Sequence, residues 1–242
     1  DDPKLSARAS EAVRRVRRVI TFGLTGQADV RAEDVEATPE GTAFRLVIGS
    51  ASAAVRIPLL GRFQVANALA AVAAGTALGV APDVLAGGLG RVKPAAQRME
   101  VQEAGGIIFV NDAYNANPAS MRAALSAFEP LYSRRRRVLV LGDMLELGAF
   151  AEREHDALGA AVAATAPALL FALGKWAEVV ARGAQRAGLA RDLIVVCRER
   201  VAAEAGLLRA LRPGDAVLFK GSRGMKLEEV MAHVISSVLP AA

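Results

Sequence analysis

The chain has 242 residues, of which 53% are hydrophobic and 23% charged, with a formal net charge of +5. That is room for two modest domains or one large one, and the apolar content excludes global disorder. No apolar run reaches the length of a membrane span without Gly, Pro or a charge interrupting it, so no membrane partner is expected. The single cysteine, Cys197, leaves no internal disulfide and suits a reducing cytoplasmic setting; its place in an apolar strand favours a buried, inert thiol. The basic excess is mostly arginine, densest at 134–137, just before an apolar strand. Few aromatics interleave with it, so the run reads as a solvated loop and no nucleic-acid partner is expected. A basic surface would still attract a polyanionic small molecule such as a nucleotide. The amino terminus, Asp1-Asp2-Pro3-Lys4, is acidic, lacks an apolar core behind it and has no initiator methionine. It reads as the start of a processed chain, or of a piece cut from something longer, and not as a signal peptide.

In chain order, residues 4–18 carry an amphipathic, arginine-rich helix pattern, and Val19-Ile20-Thr21-Phe22-Gly23 reads as a strand. From 29 to 58 the pattern alternates: Val30, Val35, Phe44, Val47, Val55 and Ile57 mark strands and Pro39-Glu40-Gly41 a turn, which predicts a small antiparallel sheet of about three strands. An Ala-rich helix is expected from about 65 to 78, with Asn67 an unusual amide inside it, and a second helix begins at Pro82. The alternation at 98–103, the pair Gly105-Gly106 and the apolar run 107–110 form a hairpin signal, and the domain boundary is placed there. Beyond it, strand cores at 107–110, 138–141, 169–173, 193–196 and 216–219 alternate with helical patterns at 119–128, 149–164, 176–187, 200–211 and 226–238. Such a βαβ array predicts an α/β domain, a Rossmann-like, doubly wound, mainly parallel sheet.

In that class of fold ligands bind outside the carboxyl ends of the strands. Those ends read Asn111-Asp112, Gly142-Asp143, Gly174-Lys175, Cys197-Arg198 and Lys220-Gly221-Ser222. The densest is Asn111-Asp112-Ala113-Tyr114-Asn115-Ala116-Asn117-Pro118, an acid, a phenol and several amides where a strand hands over to a helix. Asn117 before Pro118 also reads as an ordinary helix cap, which leaves Asp112, Tyr114 and Asn115 unexplained. Carboxylates at Asp143 and Glu146, with the cation Lys220 and the hydroxyl of Ser222, match what a zwitterion requires. No G-x-x-x-x-G-K-[ST] loop, no G-x-G-x-x-G after a strand and no G-x-S-x-G elbow is present, and His155 and His233 have no metal-ligand spacing with Cys197. By position alone His155 could equally be a surface residue.

These residues carry a resemblance. Asp112-Ala113-Tyr114-Asn115-Ala116-Asn117-Pro118 followed by Ser120-Met121, Leu141-Gly142-Asp143-Met144-Leu145-Glu146-Leu147-Gly148 with His155, and Phe219-Lys220-Gly221-Ser222-Arg223 resemble the Mur ligase family, in the branch that adds D-alanyl-D-alanine. The likeness covers essentially the whole chain. It implies that residues 1–105 are the second half of a central ATP-binding domain and that 106–242 are a C-terminal ligase domain. It further implies peptidoglycan chemistry in the cytoplasm by a monomer, with ATP and Mg2+ as cofactors. ATP would phosphorylate the terminal carboxylate of UDP-N-acetylmuramoyl-tripeptide, and the amine of D-Ala-D-Ala would attack the acyl phosphate. By the same resemblance Asp112 and Lys220 are catalytic, and Asn67, Arg98, Asp112, Asn115 and Asn117 lie on the ATP side. Tyr114, Asp143, Glu146, His155, Ser222 and Arg223 lie on the side of the dipeptide and the acyl phosphate. No metal ligand falls in this chain. Phe63-Gln64 stands where the family carries His-Asn, a departure on the adenine side. The family's phosphate loop, modified lysine, magnesium ligands and UDP-holding domain would lie upstream, so the chain alone is expected not to hydrolyse ATP. Two alternatives stay open: a non-catalytic half-module that completes a partner's site, and a ligase like the folylpolyglutamate synthases, against which Tyr114-Asn115-Ala116-Asn117-Pro118 argues.

Overall fold

The computed structural model describes residues 18–24 and 27–239, together with positions 2, 4, 5, 7, 8, 11 and 16. The helix expected at 4–18 falls largely outside the described residues. The chain divides into two compact units, Asp1–Lys93 and Pro94–Ala242.

The first unit holds a four-stranded sheet in the order β1 (Phe22–Gly23), β2 (Val30–Thr38), β3 (Gly41–Ile48), β4 (Ala51–Ile57). β2, β3 and β4 are antiparallel, as their alternation predicts; the short β1 adds in parallel along β2, which makes the sheet mixed. Val30, Ala32, Phe44, Leu46, Val55 and Ile57 are buried together. Side chains two apart share a sheet face, so this set is one continuous apolar surface. At Asp34, where φ is 54°, the register on β3 shifts, and Val35 thereby turns to the same core. Helix α1 (Arg62–Ala77) covers the sheet with Val65, Leu69 and Val72, and α2 (Pro82–Leu89) adds Leu89.

The second unit is built on a six-stranded sheet. Its strands are β5 (Glu100–Ala104), β6 (Ile107–Asn111), β7 (Arg136–Gly142), β8 (Leu169–Leu173), β9 (Ile194–Cys197) and β10 (Asp215–Lys220), in the order β5-β6-β10-β7-β8-β9. Only β5 is antiparallel, paired with β6 across the turn at Gly105 and Gly106. The whole hairpin therefore belongs to the unit that begins at Pro94, whereas the boundary read from the sequence falls inside it. Helices α3 (Pro118–Leu131), α4 (Ala151–Ala164), α5 (Ala177–Arg186) and α6 (Arg200–Ala210) connect the parallel strands, and α7 (Leu227–Val238) ends the fold.

The chain steps outward from β6 through β7 and β8 to β9, then returns to insert β10 between β6 and β7. Right-handed crossovers put helices of opposite steps on opposite faces. Accordingly α4 packs on α3 and α5, while α6 packs on α7. The α4–α5 crossing is set by Gly159 and Gly183: a Cβ on Gly159 would lie 2.2 Å from the Val180 carbonyl oxygen, and one on Gly183 2.3 Å from that of Asp156. Between the helix layers Phe109, Val138, Val140, Phe171, Val217 and Phe219 form the core with Leu227, Val230 and Val234. The reversal of winding beside β10 leaves the chain exits of β6 and β7 on one side and that of β10 on the other, the arrangement that opens a crevice at the strands' carboxyl ends.

Candidate active site

The crevice is organised around β10. The Asp112 N–H donates to the Phe219 carbonyl at 2.8 Å, and the Ser222 N–H to the Asp143 carbonyl at 3.0 Å. The loops after β6, β7 and β10 are thus tied by backbone before any side chain acts. Lys220, only 2% exposed, then inserts between them. Its ammonium donates to Asp112 Oδ2 at 2.6 Å, to the Asn115 carbonyl at 3.2 Å and, at a longer 3.5 Å, to the Asp112 carbonyl. An ammonium has three protons, so all of its donors are engaged internally. The other Asp112 oxygen accepts the Met99 N–H at 3.2 Å. Burial pushes the Asp112 carboxyl above its ordinary pKa, against the opposing pull of Lys220, the Met99 N–H and Arg98.

Asp143 is buried and performs a second tie. Its two oxygens accept the N–H groups of Lys175, at 2.8 Å, and Trp176, at 3.0 Å, which pins the loop after β8 to the loop after β7. Gly174 makes the approach possible: its φ is +117°, and a Cβ there would sit 2.6 Å from Asp143 Oδ2. His155 is completely buried, so the surface placement left open by the sequence does not hold. Its Nε2 accepts the Met144 N–H at 2.9 Å and its Nδ1 donates to the Ala151 carbonyl at 2.7 Å, which fixes a neutral ring with the proton on Nδ1. With Nε2 unprotonated, the 4.0 Å approach to Asp143 Oδ1 is not an ion pair. The ring stacks on Trp176, centroids 5.5 Å apart. Ser222 Oγ accepts the Leu145 N–H at 2.9 Å and faces the Ala116 carbonyl at 3.4 Å.

A second group of residues points outward. Arg98 lies over the Tyr114 ring, 4.3 Å from its centroid, and both are exposed. The turn carrying Arg98 is held in place: Gln97 and Met99 have φ of 59° and 54°, the Tyr114 N–H donates to the Gln97 carbonyl at 3.1 Å, and Arg223 bonds the Gln97 amide oxygen. Left-handed backbone at non-glycine residues costs energy, on the order of 1 kcal/mol or more each, and persists only where the surroundings enforce it. Arg223 also pairs with Glu228 at 3.0 Å. Asn115 is exposed, its Oδ1 accepting the Ala116 N–H at 2.8 Å. Asn117 caps α3 in a reciprocal capping box with Ser120, the ordinary role its sequence context allows. Glu146, at φ 63°, and Lys175 are exposed on the loops after β7 and β8.

The structure thus brings together Arg98, Asp112, Tyr114, Asn115, Asn117, Asp143, Glu146, His155, Lys220, Ser222 and Arg223 in the second unit. Asn67 belongs to the first unit, where its side-chain amide donates to Gln64 Oε1 at 3.1 Å. Gln64, the departure from the family pattern, is buried and holds the exposed Asn67 in place. Sequence reasoning missed the contributions of Gln97, Met99 and Trp176. Met99 acts through backbone geometry that has no residue-type signal, and Gln97 through its backbone together with a side-chain contact to Arg223 far along the chain, whereas Trp176 directly follows a strand end already visible as Gly174-Lys175. Among the described residues no group of three or more His, Cys, Asp or Glu side chains could hold a metal ion, and no helix is long and apolar enough to cross a membrane.

Comparison with known proteins agrees with this geometry. Residues 97–223 match the Mur ligase, glutamate ligase domain, and residues 1–75 match the Mur ligase middle domain. The UDP-N-acetylmuramoyl-tripeptide–D-alanyl-D-alanine ligase of Bacillus subtilis is 38% identical over 224 residues, covering 90% of this chain and 48% of that protein. The Escherichia coli ligase of the same name is 32% identical, covering 84% and 44%. A crystal structure of MurF from Acinetobacter baumannii superposes with a TM-score of 0.84 at 30% identity over 98% of this chain and 50% of its own. The chain spans about half the length of the curated relatives it matches. Motifs, sheet order and both domain matches converge: the chain belongs to the Mur ligase family.

Proposed function

We propose that this chain is the C-terminal half of an ATP-dependent ligase of peptidoglycan synthesis that adds D-Ala-D-Ala to UDP-N-acetylmuramoyl-tripeptide, and that residues 94–242 supply the dipeptide side of the reaction. The observation that carries the reading is the convergence of the motifs at 112–118, 142–148 and 220–223 on adjacent strand ends, which the insertion of β10 between β6 and β7 produces. ATP would supply the phosphoryl group that activates the tripeptide carboxylate, with Mg2+ screening its charge. The residues of this chain suit part of that task. Asn67 offers an exposed amide and Arg98 an exposed guanidinium stacked on Tyr114; neither a phosphate-cradling glycine loop nor a metal-ligand set is among their neighbours in sequence. Asp112, Lys220, Asp143, His155 and Ser222 act in this reading by holding the loops, because their polar atoms already have protein partners. Tyr114, Asn115, Glu146 and Arg223 face the ligand. An exposed carboxylate such as Glu146 orients the dipeptide ammonium before it loses its proton and attacks.

The test is a calorimetric titration of the chain with D-Ala-D-Ala and, separately, with L-glutamate. Saturable dipeptide binding and none of glutamate is expected; saturable glutamate binding overturns the substrate and favours the folylpolyglutamate-like alternative. A parallel ATPase assay with Mg2+ is expected to show no turnover.

A further inference from the structure

We infer that Lys175, on the loop after β8, is the cation that receives the carboxylate of the dipeptide substrate. The inference rests on the reading of residues 94–242 as the dipeptide side, and it starts from the ligand's chemistry. D-Ala-D-Ala is a zwitterion, and its amine must stay free to attack, so the carboxylate end is where a fixed cation can hold it.

The cations at this edge of the sheet differ in what they already hold. Lys220 is buried with every proton donated internally. Arg223 bridges Gln97 and Glu228. Arg98 lies over Tyr114, on the turn before β5. Arg198 follows β9, the outermost strand. Lys175 follows β8, directly beside β7, is exposed, and among the described residues has no carboxylate within ion-pair distance. Its backbone is nevertheless rigid. The left-handed Gly174 precedes it, its N–H and that of Trp176 are held by the two Asp143 oxygens, and its ammonium sits 5.0 Å from the centroid of the Trp176 ring. Trp176 is itself stacked on the buried, doubly bonded His155. A cation standing on a fixed aromatic platform loses little freedom on binding an anion.

Glu146 supplies the complement. It is exposed, without an ion pair among the described residues, on the neighbouring loop that Asp143 ties to Lys175. An unpaired acid and an unpaired base on loops joined by one buried carboxylate form the charge pattern of a zwitterion site. On this account Asp143, the strand-end acid that looks most like a ligand contact in sequence, is a positioning residue that sets the spacing between the two.

The experiment is an NMR titration of the 15N-labelled chain with D-Ala-D-Ala and with its C-terminal carboxamide, on the parent, Lys175→Met and Lys175→Arg. The indole signal of Trp176, the only tryptophan, reports directly on the platform. A charge-assisted bond of ordinary strength predicts that Lys175→Met weakens dipeptide binding about tenfold or more, that Lys175→Arg restores most of it, and that the carboxamide binds parent and Lys175→Met alike. Because the side chain is exposed, the urea midpoint should not move. Equal affinity of parent and Lys175→Met for the dipeptide overturns the inference and leaves the proposed function standing. No binding of the dipeptide by the parent overturns both.

Discussion

Replacing Lys220 with methionine isolates what holds the crevice together. The substitution keeps length and apolar bulk but removes the ammonium that joins Asp112 to the Asn115 carbonyl. Truncating one partner of a buried ion pair leaves the other charge uncompensated and costs about 3–5 kcal/mol. The residual carboxylate can relieve that cost only by taking a proton. Burial already raises the Asp112 pKa from its ordinary value, and Lys220 provides the two largest pulls against it, so its removal raises the carboxyl further. A carboxyl whose folded pKa lies above its unfolded value binds protons preferentially in the folded state. Its favourable contribution is fully present below the unfolded pKa and is lost as pH rises through the folded one. The penalty of Lys220→Met is therefore expected to be small near pH 4 and to approach its full size by pH 8, growing by about 1.4 kcal/mol for each unit of added pKa shift. Urea unfolding followed by Trp176 fluorescence reads this directly, since the lone tryptophan lies in the same unit as the pair. The double replacement Lys220→Met with Asp112→Leu should recover part of the loss and flatten its pH dependence. A Lys220→Met penalty below about 1 kcal/mol, or one that stays constant between the two pH values, would refute the argument that the pair is buried and coupled.

Asn117→Ala should lower stability by about 0.5–2 kcal/mol while Asn117→Ser is close to neutral, because the capping box needs only a short acceptor; thermal melts of both variants distinguish a cap from a ligand contact. Cys197 is buried and its thiol pKa is raised by that burial, so it should react with an aromatic disulfide reagent only at the rate of unfolding. Fast stoichiometric labelling of the native chain would contradict the burial of Cys197 at the end of β9.

Much of this architecture is local and therefore legible. The alternation at Val30, Phe44, Val55 and Ile57, the Gly105-Gly106 turn and the strand–helix rhythm beyond Ile107 each depend on residues close in sequence. What escaped depends on contacts across many residues. The strand read at 19–23 narrows to Phe22–Gly23 and pairs in parallel along β2, neither of which a short apolar run reveals, and Asp34 shifts the β2 register through a left-handed backbone that its residue type merely tolerates. The hairpin marked a change of architecture, but which sheet claimed β5 was decided by its pairing with β6.

The site shows the same division. The composition of the strand ends, together with the Mur ligase resemblance, named the residues that gather there: Asp112, Tyr114, Asn115, Asp143, Glu146, Lys220, Ser222 and Arg223. Composition cannot say which way a side chain turns. The tertiary structure turned Asp112, Asp143, His155, Lys220 and Ser222 inward, where a buried polar atom must find a partner and the nearest partners were the backbones of neighbouring loops. It left Arg98, Tyr114, Glu146 and Lys175 facing water. The sequence by itself determined which chemistry lies at this edge of the sheet. Only the fold, by inserting β10 between β6 and β7, decided which of those groups are consumed in holding the loops and which remain free to meet a ligand.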